Sequence, residues 1–248
     1  MVLTKVFIVI FRTTGYGKFY GSQARASLHK PKVQGRQWSS ARIKLSRGDE
    51  SIEGGWMVNP ALFGNDEAHL YVRYSVGTSG CINTKCPGFI QASNGIRLGS
   101  RPQSYSQIGG RQFVWRFSIF KHKSDGNWWF SMSWETQWHH VGFWPSSLFT
   151  SLNDFADQVQ WGGEISDPNL VEPAPVMGSG ARVDEYNPQV NAYFEHIIVV
   201  DEDRNFIQPK DTVKFYDCPN IYRVDDAGDR GGDIGRVFCY GGSYQERH

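Results

Sequence analysis

An all-β fold, an antiparallel two-sheet sandwich of jelly-roll-like type with one short helix, is the architecture that the sequence predicts. Three observations predict it. The 248 residues hold nine Leu and eleven Ala against 27 Gly, 16 Phe, 11 Tyr and 9 Trp. Leu and Ala lead the helix formers, whereas aromatic and β-branched side chains suit a pleated, half-buried surface. Apolar residues recur at period two, and Gly-, Asn- and Asp-rich turn sequences separate the segments that show it. A single domain spanning residues 1–248 fits, because sandwiches of this length often form one unit and no repeat or long linker divides the chain.

Taken in order, Val6 to Phe11 reads as a buried strand, filled by β-branched and aromatic residues and ended by Gly15 and Gly17. It is far shorter than the ~20 residues of a membrane helix. It is also shorter than the ~7–15 residues of a signal-peptide core, and no small-residue cleavage site follows, so the chain as written shows no export signal. In Leu70-Tyr71-Val72-Arg73-Tyr74, Arg73 sets one face apart. Trp115, Phe117 and Ile119 alternate with polar residues, as do Trp128, Phe130 and Met132. Phe120 to Trp128 reads as a hairpin with a Ser-Asp-Gly-Asn tip. The helical pattern follows Pro145-Ser146-Ser147: apolar residues fall at Leu148, Leu152, Phe155, Ala156 and Val159, and Gly162-Gly163 stops it. Asp167 to Ser179, rich in Pro and small residues, reads as a loop, and Phe194 to Val200 as a further strand.

Twenty-six basic and 25 acidic residues give a net charge of +1, no excess with which to neutralise a phosphate backbone. Nucleic acid is therefore not an expected partner, and neither is a membrane. The charges are unevenly spread. Residues 1–48 carry ten Lys or Arg and no acid, while 153–203 carry eleven acids and only Arg182. Adjacent strands of opposite sign explain this, and so does a docking face for a separate acidic segment.

Four cysteines in a turn-rich β chain suit two disulfides and an oxidising compartment. Proximity favours Cys81 with Cys86 and Cys218 with Cys239. Cys81-x4-Cys86 is also within loose zinc spacing, but no second close pair matches it, and the neighbouring residues His139 and His140 would point to opposite faces of a strand. No metal and no cofactor is expected.

The chain has no G-x-S-x-G, H-E-x-x-H or P-loop motif, and its Gly15-to-Gly21 run is spaced wrongly for a dinucleotide. Two glutamates stand out instead. Glu53 lies in Ser51-Ile-Glu-Gly-Gly-Trp56, and Glu164 in Gln160-Trp-Gly-Gly-Glu-Ile165. Glycines let a backbone approach a ligand, and an indole beside a carboxyl desolvates it and raises its pKa. Two such carboxyls facing each other do not both ionise easily, so the pair would supply an acid and a base together. Each Glu capping a turn at a strand end is the alternative.

The stretch Ile52-Glu-Gly-Gly-Trp-Met-Val-Asn-Pro-Ala-Leu-Phe-Gly64 resembles the neprosin family of plant glutamic peptidases. So do Gly80-Cys-Ile-Asn-Thr-Lys-Cys-Pro-Gly-Phe-Ile-Gln91, Gly126-Asn-Trp-Trp129, Gly142-Phe-Trp-Pro145, Gln160-Trp-Gly-Gly-Glu164, Met177-Gly-Ser-Gly180 and Val199-Val-Asp201. The resemblance spans residues 6–242. It implies a two-sheet sandwich with a groove across one face, catalytic roles for Glu53 and Glu164, and disulfides Cys81–Cys86 and Cys218–Cys239. The implied activity is endopeptidase cleavage of a peptide or protein substrate at acidic pH, after proline in the best-known member. Glu164 would be the base that activates water, and Glu53 the acid and oxyanion partner. Trp56 and Trp161 are candidate walls for a proline ring, or else core residues. The family usually has Ala where Gly54 stands. Its precursors also carry a signal peptide and an inhibitory activation domain, neither visible here, and the basic N-terminal third would suit docking of such a prosegment. The resemblance and the cysteines imply an extracellular location or another oxidising compartment.

Two other readings compete. A non-catalytic sandwich would bind cell-wall polysaccharide or peptide through its aromatic residues. A glycosidase would also use paired carboxylates, ~5–9.5 Å apart, and would act on glycans.

Overall fold

The computed structural model describes residues 5–14, 17–134, 137–168 and 173–243. Among them are sixteen strands: β1 (Lys5–Thr13), β2 (Gly21–Ser27), β3 (Trp38–Arg47), β4 (Glu50–Val58), β5 (Ala68–Val76), β6 (Ser79–Ile82), β7 (Ile90–Gln91) and β8 (Val114–Lys121), then β9 (Trp128–Ser133), β10 (His139–Trp144), β11 (Gln158–Asp167), β12 (Ala192–Val200), β13 (Phe206–Ile207), β14 (Thr212–Tyr216), β15 (Tyr222–Asp229) and β16 (Arg236–Gly242). They form two sheets. One has the order β14-β1-β11-β3-β4-β5-β6; the other runs β15-β16-β12-β2-β8-β9-β10-β7, with β13 against β12. The all-β sandwich expected from the sequence is the observed fold.

Alternation decides what lies between the sheets. Ala41, Ile43 and Leu45 of β3, Ile52, Trp56 and Val58 of β4, and Val159, Trp161 and Ile165 of β11 are buried in one core. They meet Trp115, Phe117 and Ile119 of β8 and Trp128, Phe130 and Met132 of β9, the alternating residues of the predicted hairpin. Because side chains two apart share a face, the other residues of β3, β4, β5 and β11 lie together on the outer face of the seven-stranded sheet.

Part of the uneven charge is neutralised within the chain. Lys18 pairs with Glu202, Arg25 with Glu195, Arg42 with Glu164, and Arg47 with Asp154. Each joins the basic 1–48 segment to the acidic 153–203 region. Two of the four link directly bonded strands, β2 with β12 and β3 with β11.

The helix lies elsewhere than its apolar spacing predicts. Only a 3-10 turn, Ser146–Leu148, forms at the expected start, and Val159 already belongs to β11. The buried Glu50 carboxylate accepts hydrogen bonds from Thr150 N at 2.8 Å and Leu152 N at 2.7 Å. Ala156 is bonded across to Phe19. These tertiary bonds take the amides that a helix would use, and Leu152 and Ala156 are buried from an irregular segment. The short helix is α1, Pro60–Phe63. Asn59 caps it, accepting from Leu62 N at 3.1 Å, and Gly64 ends it at φ 75°. Asn-Pro at the start and Gly at the end carried that signal in the sequence.

Cys81 and Cys86 form a disulfide. The expected second bridge does not form, and Cys218 and Cys239 are free thiols. Cys239 packs with Val183 and Tyr193 in a separate small cluster, whereas Cys218 packs against the main core. Along the β15–β16 ladder Cys239 stands opposite Asp225, while Cys218 precedes Tyr222, which stands opposite Gly242. Burial pushes the Cys239 thiol up to about 12. Of the predicted turn and loop segments, residues 15–16 and 169–172 lie outside the described residues.

Candidate active site

Glu53 on β4 and Glu164 on β11 are separated by a single strand, β3. Glu53 stands opposite Lys44 of β3 and Arg73 of β5, and Glu164 opposite Ser40 of β3. Arg42 lies midway along β3 between Ser40 and Lys44. Its neighbours across the ladders are both glycine, Gly55 on β4 and Gly162 on β11. A Cβ on Gly55 would fall 1.9 Å from the Ala41 carbonyl oxygen, and one on Gly162 2.2 Å from that of Val9. One glycine of each Gly pair thus leaves the face beside Arg42 bare. The other glycine faces the core, where a Cβ on Gly54 would meet the Phe130 ring at 2.5 Å and one on Gly163 the Met177 sulfur at 2.5 Å.

The two carboxylates are brought together by two shared guanidinium groups. Arg42 Nε lies 2.7 Å from Glu164 Oε2 and 3.4 Å from Glu53 Oε2. Arg73 Nη2 lies 2.7 Å from Glu164 Oε1 and 3.0 Å from Glu53 Oε1. Tyr71 donates its hydroxyl to Glu53 Oε1 at 3.0 Å. The side chains of Glu53, Glu164 and Arg42 are 2%, 6% and 2% exposed, whereas Arg73 is 31% exposed and forms the open side of the cluster. Arg42 Nη1 is buried with no hydrogen-bond partner among the described residues.

These charges set the protonation states. Burial works against ionisation of Glu164, but Arg42 and then Arg73 overcome it and hold its carboxyl down at about 2. The sequence-based expectation that mutual repulsion raises one carboxyl describes an unpaired dyad; here two guanidinium groups are shared between the carboxyls, and Glu164 is lowered instead. Burial, and after it the Glu53 charge, pushes the Tyr71 phenol well up, so it remains a donor. Burial and the neighbouring Arg42 lower the Lys44 ammonium.

Trp56 and Trp161 do not line this site. Each is three residues from its glutamate, and three residues along a strand reverses the face. Both are fully buried in the inter-sheet core. Trp56 Nε1 donates to the Ser27 carbonyl at 3.0 Å, and Trp161 Nε1 to Ser22 Oγ at 2.9 Å. The groups that do surround the carboxylates, Arg42, Lys44, Tyr71 and Arg73, escaped sequence reasoning. Arg73 was visible as the odd member of an apolar strand, but only the strand register aims it at Glu53. An open cavity of about 460 Å³ adjoins the cluster, walled by Trp38, Lys44, Met57, Arg73 and the β5–β6 turn.

The neprosin family model matches residues 35–243, and the chain belongs to that family. Among solved structures, the chain is similar to the crystal structure of scytalido-glutamic peptidase with a transition state analog inhibitor. That likeness has a TM-score of 0.52 at 11% identity and covers 95% of this chain and 98% of the other. A structure of scytalido-glutamic peptidase with a peptide based transition state analog gives a TM-score of 0.50 at 9% identity, over 98% of this chain and all of the other. At these identities the likeness is one of fold.

Proposed function

We propose that the chain is a glutamic-type endopeptidase acting at acidic pH, with Glu53 and Glu164 as its catalytic residues. The observation that carries this is the pairing of two carboxylates from separate strands around the same two guanidinium groups, beside an open cavity. Glu164, kept ionised to about pH 2, takes a proton from water as the water attacks the scissile carbonyl. Glu53 enters the step protonated and gives its proton to the leaving amine, and the proton that Glu164 has taken then returns Glu53 to its acid form. The developing oxyanion is met by a donor already fixed in place, the partly exposed Arg73. No acyl-enzyme forms. Family membership supports a peptide or protein substrate, with cleavage after proline as the finer reading. The Cys81–Cys86 disulfide supports an oxidising, extracellular setting.

One observation favours a second reading, a non-catalytic peptide-binding module: both carboxylates are neutralised by arginine, which weakens a base. Digestion of a proline-containing peptide library at acidic pH separates the two. Fragments that appear with the wild type and vanish in both Glu53→Gln and Glu164→Gln support the peptidase, and their ends give the specificity. A folded wild type that cuts nothing at any pH leaves the binding module.

A further inference from the structure

The cavity beside the carboxylate pair is lined by two cations, one of which has no matching anion. Lys44 and Arg73 both face it, and no carboxylate among the described residues lines it. Within the cluster, Glu53 and Glu164 are balanced by Arg42 and Arg73. Lys44 is then the uncompensated charge. It is half-buried and makes no ion pair or hydrogen bond among the described residues, although a long flexible ammonium ordinarily reaches water or a partner. The walls add polar groups suited to an anion. Asn59, Ser51 and Ser75 line the cavity, and the two serine hydroxyls are joined to each other at 2.7 Å. Trp38 offers a flat apolar side, with the Arg73 guanidinium 5.7 Å from its ring centre.

We propose that this cavity is a subsite for a peptide carboxylate, held by the Lys44 ammonium with Arg73 at its inner edge. The proposal rests on the peptidase reading for its ligand class, a peptide, and adds to it which residue the site selects. Two sources share this chemistry, the side chain of an Asp or Glu and the free carboxyl end of a chain. A neutral side chain covers the half-buried Lys44 without giving it a counter-charge, so the site discriminates by what it leaves unpaired as well as by what it binds. The Cys81–Cys86 disulfide adjoins the same cavity, which Cys81 lines.

The test compares blocked peptides that differ only in an internal Glu or Gln, at about pH 5, where a free Glu side chain is ionised. A third peptide carries Gln and a free carboxyl end. Affinity is read by calorimetry and cleavage by mass spectrometry, with wild type, Lys44→Met and Lys44→Gln. The wild type should bind a carboxylate-bearing peptide roughly tenfold more tightly than the blocked Gln peptide, the scale of one charge-assisted hydrogen bond. That ratio should fall towards one in both Lys44 variants. Tightening by the internal Glu assigns the side chain as the source; tightening only by the free end assigns the chain terminus. Equal affinities in the wild type, a preference that survives both variants, or no binding of any peptide would overturn the subsite. Preferential binding without cleavage would leave the subsite standing and remove the peptidase reading. Cleavage with no preference would do the reverse.

Discussion

Acidification should destabilise this protein through one identifiable carboxyl. Glu164 has an ordinary value of 4.5 that the fold holds at about 2. Its side chain is 6% exposed, so solvent does little to weaken that grip. Each tenfold difference in proton affinity between the folded and unfolded chain is worth roughly 1.4 kcal/mol. The gap between 4.5 and about 2 therefore contributes about 3 kcal/mol of stability. Because the folded value is the lower one, this contribution is complete above pH 4.5 and is lost as the pH falls to about 2. Urea unfolding of the wild type and Glu164→Gln, followed from neutral pH to about pH 2, isolates it, since every other carboxyl titrates in both proteins. The stability advantage of the wild type should shrink by about 3 kcal/mol across that window. Parallel curves would refute the claim that Arg42 and Arg73 hold Glu164 ionised.

Arg42→Met leaves two buried carboxylates with Arg73 alone, and should cost about 3–5 kcal/mol at neutral pH. It should recover part of that loss on mild acidification, where the wild type gains nothing, as read by the same urea titration. Trp161→Phe keeps the core filled but loses the bond to Ser22, so a lower unfolding temperature and an unchanged cleavage pattern are expected. An altered pattern would return this indole to the substrate site. Alkylation of the unfolded, unreduced protein should label Cys218 and Cys239 and spare Cys81 and Cys86. Peptide mapping that found Cys218 and Cys239 blocked would restore the second disulfide. In the folded protein at mildly alkaline pH, Cys239 should react slowly, because its thiol is held at about 12.

What the sequence made legible follows from local physics. Alternation in β5, β8 and β9 and the turn residues between strands are properties of neighbouring positions, and they specify a sandwich without knowledge of what each strand touches. The helix was misplaced for the same reason. Leu148 to Val159 has helical spacing, yet the amides of Thr150 and Leu152 are claimed by Glu50, a hundred residues away in the chain. At the site, Glu53 and Glu164 were visible because each stands beside a Gly pair. Arg42 was not, and Arg73 was visible only as the odd member of an apolar strand, because nothing in Ala41-Arg42-Ile43 or Val72-Arg73-Tyr74 reveals that β3 and β5 flank β4. The tryptophans misled in the opposite sense. Three positions from a glutamate is near in sequence, but on a strand it is the other side of the sheet.

The pH dependence of peptide hydrolysis tests the central claim most directly. If Glu164 is the base, kcat/KM should persist well below the ordinary carboxylate range and decline only as the pH approaches about 2. Glu53→Gln and Glu164→Gln should each remove this activity while remaining folded. Hydrolysis that peaks near neutrality and disappears by about pH 4, or that survives in either variant, would contradict the assignment of this carboxylate pair as the catalytic centre.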